Sequence, residues 1–223
     1  MAIKILVNGK AQDTVSVYDR GLHYGDGLFE TIAVYQNTPL CLAAHLSRLQ
    51  LACEKLQLPK PQLSIIKDEI AALIDSAEQA VIKLILSRGQ GGRAYALPET
   101  VQPNRIIALY PWPDYPKENA NIGINARLCQ FRYGINPGLA GIKHLNRLEQ
   151  VLARAEWNDD LIAEGLVLDI NDNIIEGTMS NLFIVKEGEL LTPDLTECGV
   201  TGVIREKIIA LAPKLDLNVE QTK

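Results

Sequence analysis

Lys143 stands in Gly138-Leu-Ala-Gly-Ile-Lys-His-Leu-Asn-Arg-Leu-Glu149, between small or apolar residues and just ahead of a helical pattern. A lysine desolvated in that way loses its charge more easily, and the neutral amine is a nucleophile able to form an imine with a carbonyl group. The same pattern also suits a solvated lysine at a helix start, which is the commoner arrangement. Glu176 heads Glu-Gly-Thr-Met-Ser-Asn181-Leu-Phe between two β-prone runs, where the local pattern alone gives a surface carboxylate at a turn. Arg48 adjoins Leu49 on an amphipathic stretch, and its local reading is a helix-surface ion pair. Arg93 belongs to Gly89-Gln-Gly-Gly-Arg-Ala94, which formally satisfies G-x-G-x-x-[GA]. A dinucleotide turn needs a helix to open inside the loop so that its free N–H groups meet the pyrophosphate, and Pro98 follows too soon for one. The segment is therefore a flexible loop, or a mobile lip that brings Arg93 to an anionic substrate. His23, His45 and His144 share no ligand spacing with one another or with the cysteines, and G-x-S-x-G is absent from the sequence. Neither a metal site nor hydrolase-type serine chemistry has support.

The elements that must position these residues alternate between strand and helix patterns. Residues 3–7, closed by Asn8-Gly9, and residues 14–17 predict an opening hairpin. A strand is expected over 28–35. Leu42, Leu46, Leu49, Cys53 and Leu56 then recur at spacings of four and three, which puts them on one helix face and makes Cys53 a core residue. Ile66, Ile70, Leu73 and Ala77 predict a second helix, and residues 81–86 and 105–110 have the β-branched content of strands. Pro111, Pro113 and Pro116 can continue neither, so 111–120 is read as a stiff connection between an α+β lobe at 1–110 and a second at 121–223. Beyond it we expect a strand near 122–128, a helix marked by Leu145, Leu148, Leu152 and Ala155, and a strand at 166–170 with a turn at 171–173. A hairpin about Glu187-Gly188 and a last helix carrying Ile204, Ile208 and Leu211 complete the pattern.

The 223 residues suffice for one large core or two small ones, and 47% apolar with 22% charged residues is the profile of an ordinary globular chain. Twenty-two Lys and Arg against 27 Asp and Glu leave a net charge of -5, which gives no general attraction to nucleic acid or anionic lipid. No stretch approaches the ~20 apolar residues of a membrane span, no signal-peptide core is present, and the cytoplasm is the expected address. Cys41, Cys53, Cys129 and Cys198 form neither a Cys-x-x-Cys pair nor a dense framework and are expected to be reduced, mostly buried thiols.

Six segments taken together carry a resemblance. Asp19-Arg-Gly, Tyr24-Gly-Asp-Gly-Leu-Phe-Glu-Thr31, His45-Leu-Ser-Arg48-Leu, Gly141-Ile-Lys-His-Leu-Asn-Arg-Leu, Glu176-Gly-Thr-Met-Ser-Asn-Leu-Phe and Thr201-Gly-Val-Ile-Arg205 stand in the order found in fold-type IV pyridoxal-phosphate enzymes. The resemblance covers essentially the whole chain. It implies a two-lobed α+β architecture like that of the D-amino-acid aminotransferases, assembled as a homodimer, with pyridoxal 5'-phosphate as cofactor. By the same likeness Lys143 would hold the cofactor covalently and shuttle protons. Glu176 would keep the pyridine nitrogen protonated, Arg48 would pair with the phosphate, and the N–H groups of Val203 and Ile204 would meet that phosphate at a helix N-terminus.

Within the family, residues 141–150 and Ser87-Arg-Gly-Gln-Gly-Gly-Arg93 look most like the aminodeoxychorismate lyases. Branched-chain aminotransferases place a tyrosine five residues after the lysine, where this chain has Leu148. The implied reaction turns 4-amino-4-deoxychorismate into 4-aminobenzoate and pyruvate, with Arg93 as the candidate for a substrate carboxylate. The alternatives are an aminotransferase of D-amino or other small amino acids, and a non-catalytic protein that keeps the fold. Family members continue past the final helix into a further strand and helix, whereas this sequence stops at Glu220-Gln-Thr-Lys223, so the likeness implies a C-terminal lobe lacking that end.

Overall fold

In the computed structural model, which describes residues 2–75 and 77–223, the apolar runs of the first half join as one antiparallel sheet. Its strands are β1 (Lys4–Val7), β2 (Gly27–Tyr35), β3 (Thr38–Pro39), β4 (Gln79–Ser87) and β5 (Asn104–Pro111), in the order β1-β5-β4-β2-β3. Period-two alternation sends Leu28, Glu30, Ile32 and Val34 of β2 to a buried face and Phe29, Thr31, Ala33 and Tyr35 to the other. Glu30 is the exception in that apolar row, and its partners define part of the site.

Three helices accompany this sheet: α1 (Arg20–Tyr24), α2 (Leu42–Lys55) and α3 (Leu63–Leu73). On α2, which lies against β2, the buried residues are His45, Leu46, Leu49, Ala52 and Cys53; of the predicted face Leu46, Leu49 and Cys53 are buried, Leu42 is half-buried and Leu56 falls just past the helix. On α3 they are Ile66, Ile70 and Leu73, packed toward β1 and β5, while Ala77 falls beyond the helix. Asp19 caps the short α1 by accepting the Gly21 N–H at 2.7 Å.

The expected opening hairpin does not form. Asn8-Gly9 turns the chain back only as far as Lys10, and β1 pairs with β5 instead. Val15 and Val17 are exposed, so 14–17 has no apolar face that a sheet would bury.

The described chain divides into two compact units, one of residues 1–114 with Lys143–Asn146, the other Tyr115–Ile142 with Arg147–Lys223. The change falls at Asp114 to Tyr115, just after β5 ends at Pro111. Lys143, expected in the C-terminal lobe, groups with the first unit because its backbone hydrogen-bonds to β2.

The second unit contains α4 (Asn119–Ile122), β6 (Asn125–Tyr133), α5 (Leu148–Arg154), β7 (Ile162–Asp169), β8 (Ile174–Gly177), β9 (Ile184–Lys186), β10 (Glu189–Pro193), α6 (Val203–Leu211), a 3-10 turn (Ala212–Leu215) and β11 (Val219–Thr222). In one sheet β6 runs parallel to β7 and β7 antiparallel to β8; in the other β9 is antiparallel to β10 and β10 parallel to β11. Cys129, Tyr133, Ala153, Trp157, Val167 and Ile175 centre its core. The predicted helical face of Leu145, Leu148, Leu152 and Ala155 is not a core face: Leu145 pairs with β2, and Leu148 and Leu152 are exposed, leaving Ala153 buried. A strand, β11, follows the last helix, which the sequence pattern does not reveal. All four cysteines are free, and burial pushes the thiols of Cys53 and Cys198 up to about 11 and about 12.

Candidate active site

Lys143 is placed by backbone pairing. The Phe29 N–H donates to the Lys143 carbonyl and the Leu145 N–H to the Gly27 carbonyl, both at 2.9 Å, so residues 143–145 run antiparallel beside the first turns of β2. The Lys143 side chain is half-buried, with Nζ 4.5 Å from the centre of the Phe29 ring. Lys83 of β4 reaches the same ring, Nζ at 5.5 Å. Two amines thus share the sheet face opposite Glu30. The alternation of β4 holds the sign of Lys83, a lone cation between Ile82 and Leu84 in an apolar strand, but only the sheet register brings it to Phe29.

Arg48 is not the exposed ion pair of its local reading. Its Nε donates to Glu30 Oε1 at 2.9 Å and its Nη2 to Glu30 Oε2, with the Arg48 side chain 15% exposed and that of Glu30 1%. His45 Nδ1 lies 2.7 Å from the same Oε2, one helical turn before Arg48 on α2. Burial opposes the charge on Glu30, but hydrogen bonds from His45 and Arg48 and the arginine's charge more than offset it, holding the carboxyl below its ordinary range.

In the second unit Glu176, on β8, is also buried rather than at a surface turn. Its Oε2 accepts the Val200 N–H at 2.9 Å and Asn181 Nδ2 at 3.2 Å, and Asn181 Nδ2 donates as well to the Val200 carbonyl. The turn after Glu176 is fixed by Glu164 of β7, whose Oε1 accepts the Thr178 N–H and hydroxyl and whose Oε2 accepts the Ser180 hydroxyl. Asn181 lies inside the motif that Glu176 heads, whereas Glu164 has no local signal beyond alternation along β7.

Gly202 opens α6 with extended backbone and no side-chain cap. A Cβ there would overlap Asn181 Oδ1, so only glycine lets the helix start this close to Asn181. The N–H groups of Val203 and Ile204, in the first turn, have no acceptor within the helix and lie at its positive end, a site for an anion's oxygens.

Arg93 projects from the loop that follows β4, and it is exposed. No helix opens in that loop, so it is no dinucleotide turn. Among the described residues there is no group of three or more His, Cys, Asp or Glu able to hold a metal ion, and no helix is long and apolar enough to cross a membrane.

The sequence model of the family described as Amino-transferase class IV matches residues 27–223. An aminodeoxychorismate lyase of Vibrio harveyi is 37% identical over 203 residues, 91% of this chain and 75% of the relative. The crystal structure of 4-amino-4-deoxychorismate lyase from Pseudomonas aeruginosa superposes with a TM-score of 0.93 at 44% identity, covering 97% of this chain and 80% of that one. A branched-chain amino acid aminotransferase of Escherichia coli gives a TM-score of 0.84 at 28% identity over 100% of this chain and 78% of that one.

Proposed function

The chain belongs to the class IV aminotransferase family, and from that premise we propose that it is a pyridoxal 5'-phosphate-dependent carbon-oxygen lyase. Its reaction converts 4-amino-4-deoxychorismate into 4-aminobenzoate and pyruvate, a step toward folate. The observation that carries this choice is the likeness, in both sequence and backbone, to two lyases of that name, at higher identity than to the branched-chain enzyme. Leu148, five residues after Lys143, offers no hydroxyl at the position where the branched-chain branch has tyrosine.

Taken one by one, these donor groups have the chemistry that the parts of the cofactor call for. An amine half-buried over an aromatic ring, a buried carboxylate held by a backbone N–H and an amide, a guanidinium oriented by an acid, and an uncapped helix start answer in turn an aldehyde, a pyridine nitrogen and a phosphate. Lys143 would hold the group through Nζ, Glu176 would keep the ring nitrogen protonated, and Arg48 with the N–H groups of Val203 and Ile204 would receive the phosphate. When bound, the group supplies a sink for the electron pair left at the substrate carbon that bears nitrogen. Lys143 Nζ would take the proton from that carbon; the bond between the ring and the enolpyruvate oxygen would break as the ring becomes aromatic, and the enolpyruvate released would accept a proton at carbon to become pyruvate. Val200 and Asn181 hold the Glu176 carboxylate in place through the reaction. Arg93 receives one substrate carboxylate, and Lys83 adds a second cation for a substrate that carries two. The enzyme acts as a homodimer in the cytoplasm, with a small molecule as its partner.

Incubating the cofactor-loaded protein with 4-amino-4-deoxychorismate tests the reading. Pyruvate and 4-aminobenzoate are expected in equal amounts; an unchanged substrate would refute it.

A further inference from the structure

Arg20 of α1 is 4% exposed, an unusual place for an arginine unless its charge is paired. Its Nε donates to Asp26 Oδ2 at 2.9 Å. Its Nη1 meets three carbonyls of the loop after β4: Gly91 at 3.2 Å, Ala94 at 3.0 Å and Ala96 at 3.2 Å. The Arg20 N–H adds a bond to the Gly89 carbonyl at 2.8 Å. One residue therefore touches the loop on both sides of Arg93.

Other contacts strengthen the hold. The guanidinium lies 5.0 Å from the centre of the Tyr24 ring, and Tyr24 meets Tyr95 of the loop edge-on with centroids 5.5 Å apart. Asp26 Oδ2 is shared with Arg88, whose Nη1 and Nη2 donate to the carbonyls of Gln57 and Leu56 just past α2. Burial opposes the charge on Asp26, and the two arginines hold its carboxyl below the ordinary range all the same. Gly92 takes φ +75, and a Cβ there would crowd the Ala96 carbonyl and Arg20 Nη1.

We infer that Arg20 is a positioning residue for substrate recognition: it gathers the carbonyls of the 89–96 loop and so fixes where Arg93 stands. Lysine cannot replace it, because a single ammonium lacks the planar fork that bonds Asp26 on one edge and the loop on another. The inference rests on the reading of Arg93 as the carboxylate receptor, but the clamp itself does not.

Hydrogen exchange and steady-state kinetics separate the two. In Arg20→Lys, which keeps the charge beside Asp26, amide exchange over residues 91–97 should rise about tenfold while β2 and β4 are unchanged. KM for the lyase substrate should rise about tenfold with kcat little altered, and the rise should vanish in an Arg93→Ala background, where there is no placed guanidinium left to lose. Gly92→Ala, which disturbs the same contacts from the exposed loop and leaves the buried side intact, should act in the same direction, and it serves if Arg20→Lys does not fold. Unchanged loop exchange in the folded variants overturns the clamp. Raised exchange with unchanged KM, where Arg93→Ala alone does raise KM, overturns the positioning role. An Arg93→Ala enzyme of normal KM overturns the reading of Arg93 instead, and loop exchange then decides the clamp alone.

Discussion

The guanidinium of Arg48 lies across the carboxylate of Glu30, Nε 2.9 Å from Oε1 and Nη2 on Oε2, so that an acid on the buried face of β2 sets the direction of an arginine on α2. An arginine held in this way meets a phosphate without first losing rotamer freedom, and that freedom is otherwise a cost of binding. The pair also explains why an apolar strand tolerates a carboxylate: every Glu30 oxygen is engaged.

Arg48→Ala should therefore lower affinity for pyridoxal phosphate by about 1.5 to 3 kcal/mol, the worth of a charge-assisted hydrogen bond, with a smaller effect on turnover once the cofactor is saturating. Equilibrium dialysis of the cofactor checks this. Unchanged affinity would confine Arg48 to holding Glu30.

Glu30 and Asp26 make stability depend on acid. Each has a folded-state pKa below its ordinary value, 4.5 and 3.8, which the unfolded chain regains. Their contribution is thus complete above those ordinary values and is lost as pH falls beneath them through the lowered folded values. Urea midpoints from about pH 6 down to about pH 3 should fall steeply at the acid end. Glu30→Gln should cost roughly 3 kcal/mol near neutrality, since Arg48 loses its buried partner, and should flatten the acid fall. A variant with the wild-type acid slope would contradict the assignment.

Borohydride reduction of the cofactor-loaded protein, followed by peptide mapping, should place the pyridoxyl group on Lys143. Lys83 is the informative control, since its amine reaches the same Phe29 ring. Label on Lys83 or any other lysine would displace Lys143 from its role.

Glu176→Gln keeps an oxygen for the Val200 N–H, so the fold and cofactor binding should persist. An amide cannot hold the pyridinium proton, and turnover should fall at least about 100-fold. Near-normal turnover would reduce Glu176 to a structural acceptor.

Much of this arrangement is legible in the sequence because period and burial agree. The four-three spacing of α2 and the alternation of β2 each describe a single face against a single partner, and the structure keeps both. Single-residue relationships across elements are not legible: Glu30 looks like an interruption of a strand until α2 brings His45 and Arg48 to it. The same limit explains Leu145, whose apolar spacing suits α5 but whose N–H bonds to Gly27. Arg20 is hidden for another reason, because five residues make too short a helix for periodicity, and the carbonyls its side chain meets lie 71 to 76 positions away.

The claim of lyase chemistry is tested most directly by mixing the cofactor-loaded enzyme separately with 4-amino-4-deoxychorismate and with D-alanine plus 2-oxoglutarate, while following aminobenzoate fluorescence and the cofactor spectrum. Elimination predicts aminobenzoate from the first mixture, with the cofactor returned unchanged and little reaction in the second. Rapid conversion of the cofactor to pyridoxamine phosphate by D-alanine, with no aminobenzoate from the first, would contradict it.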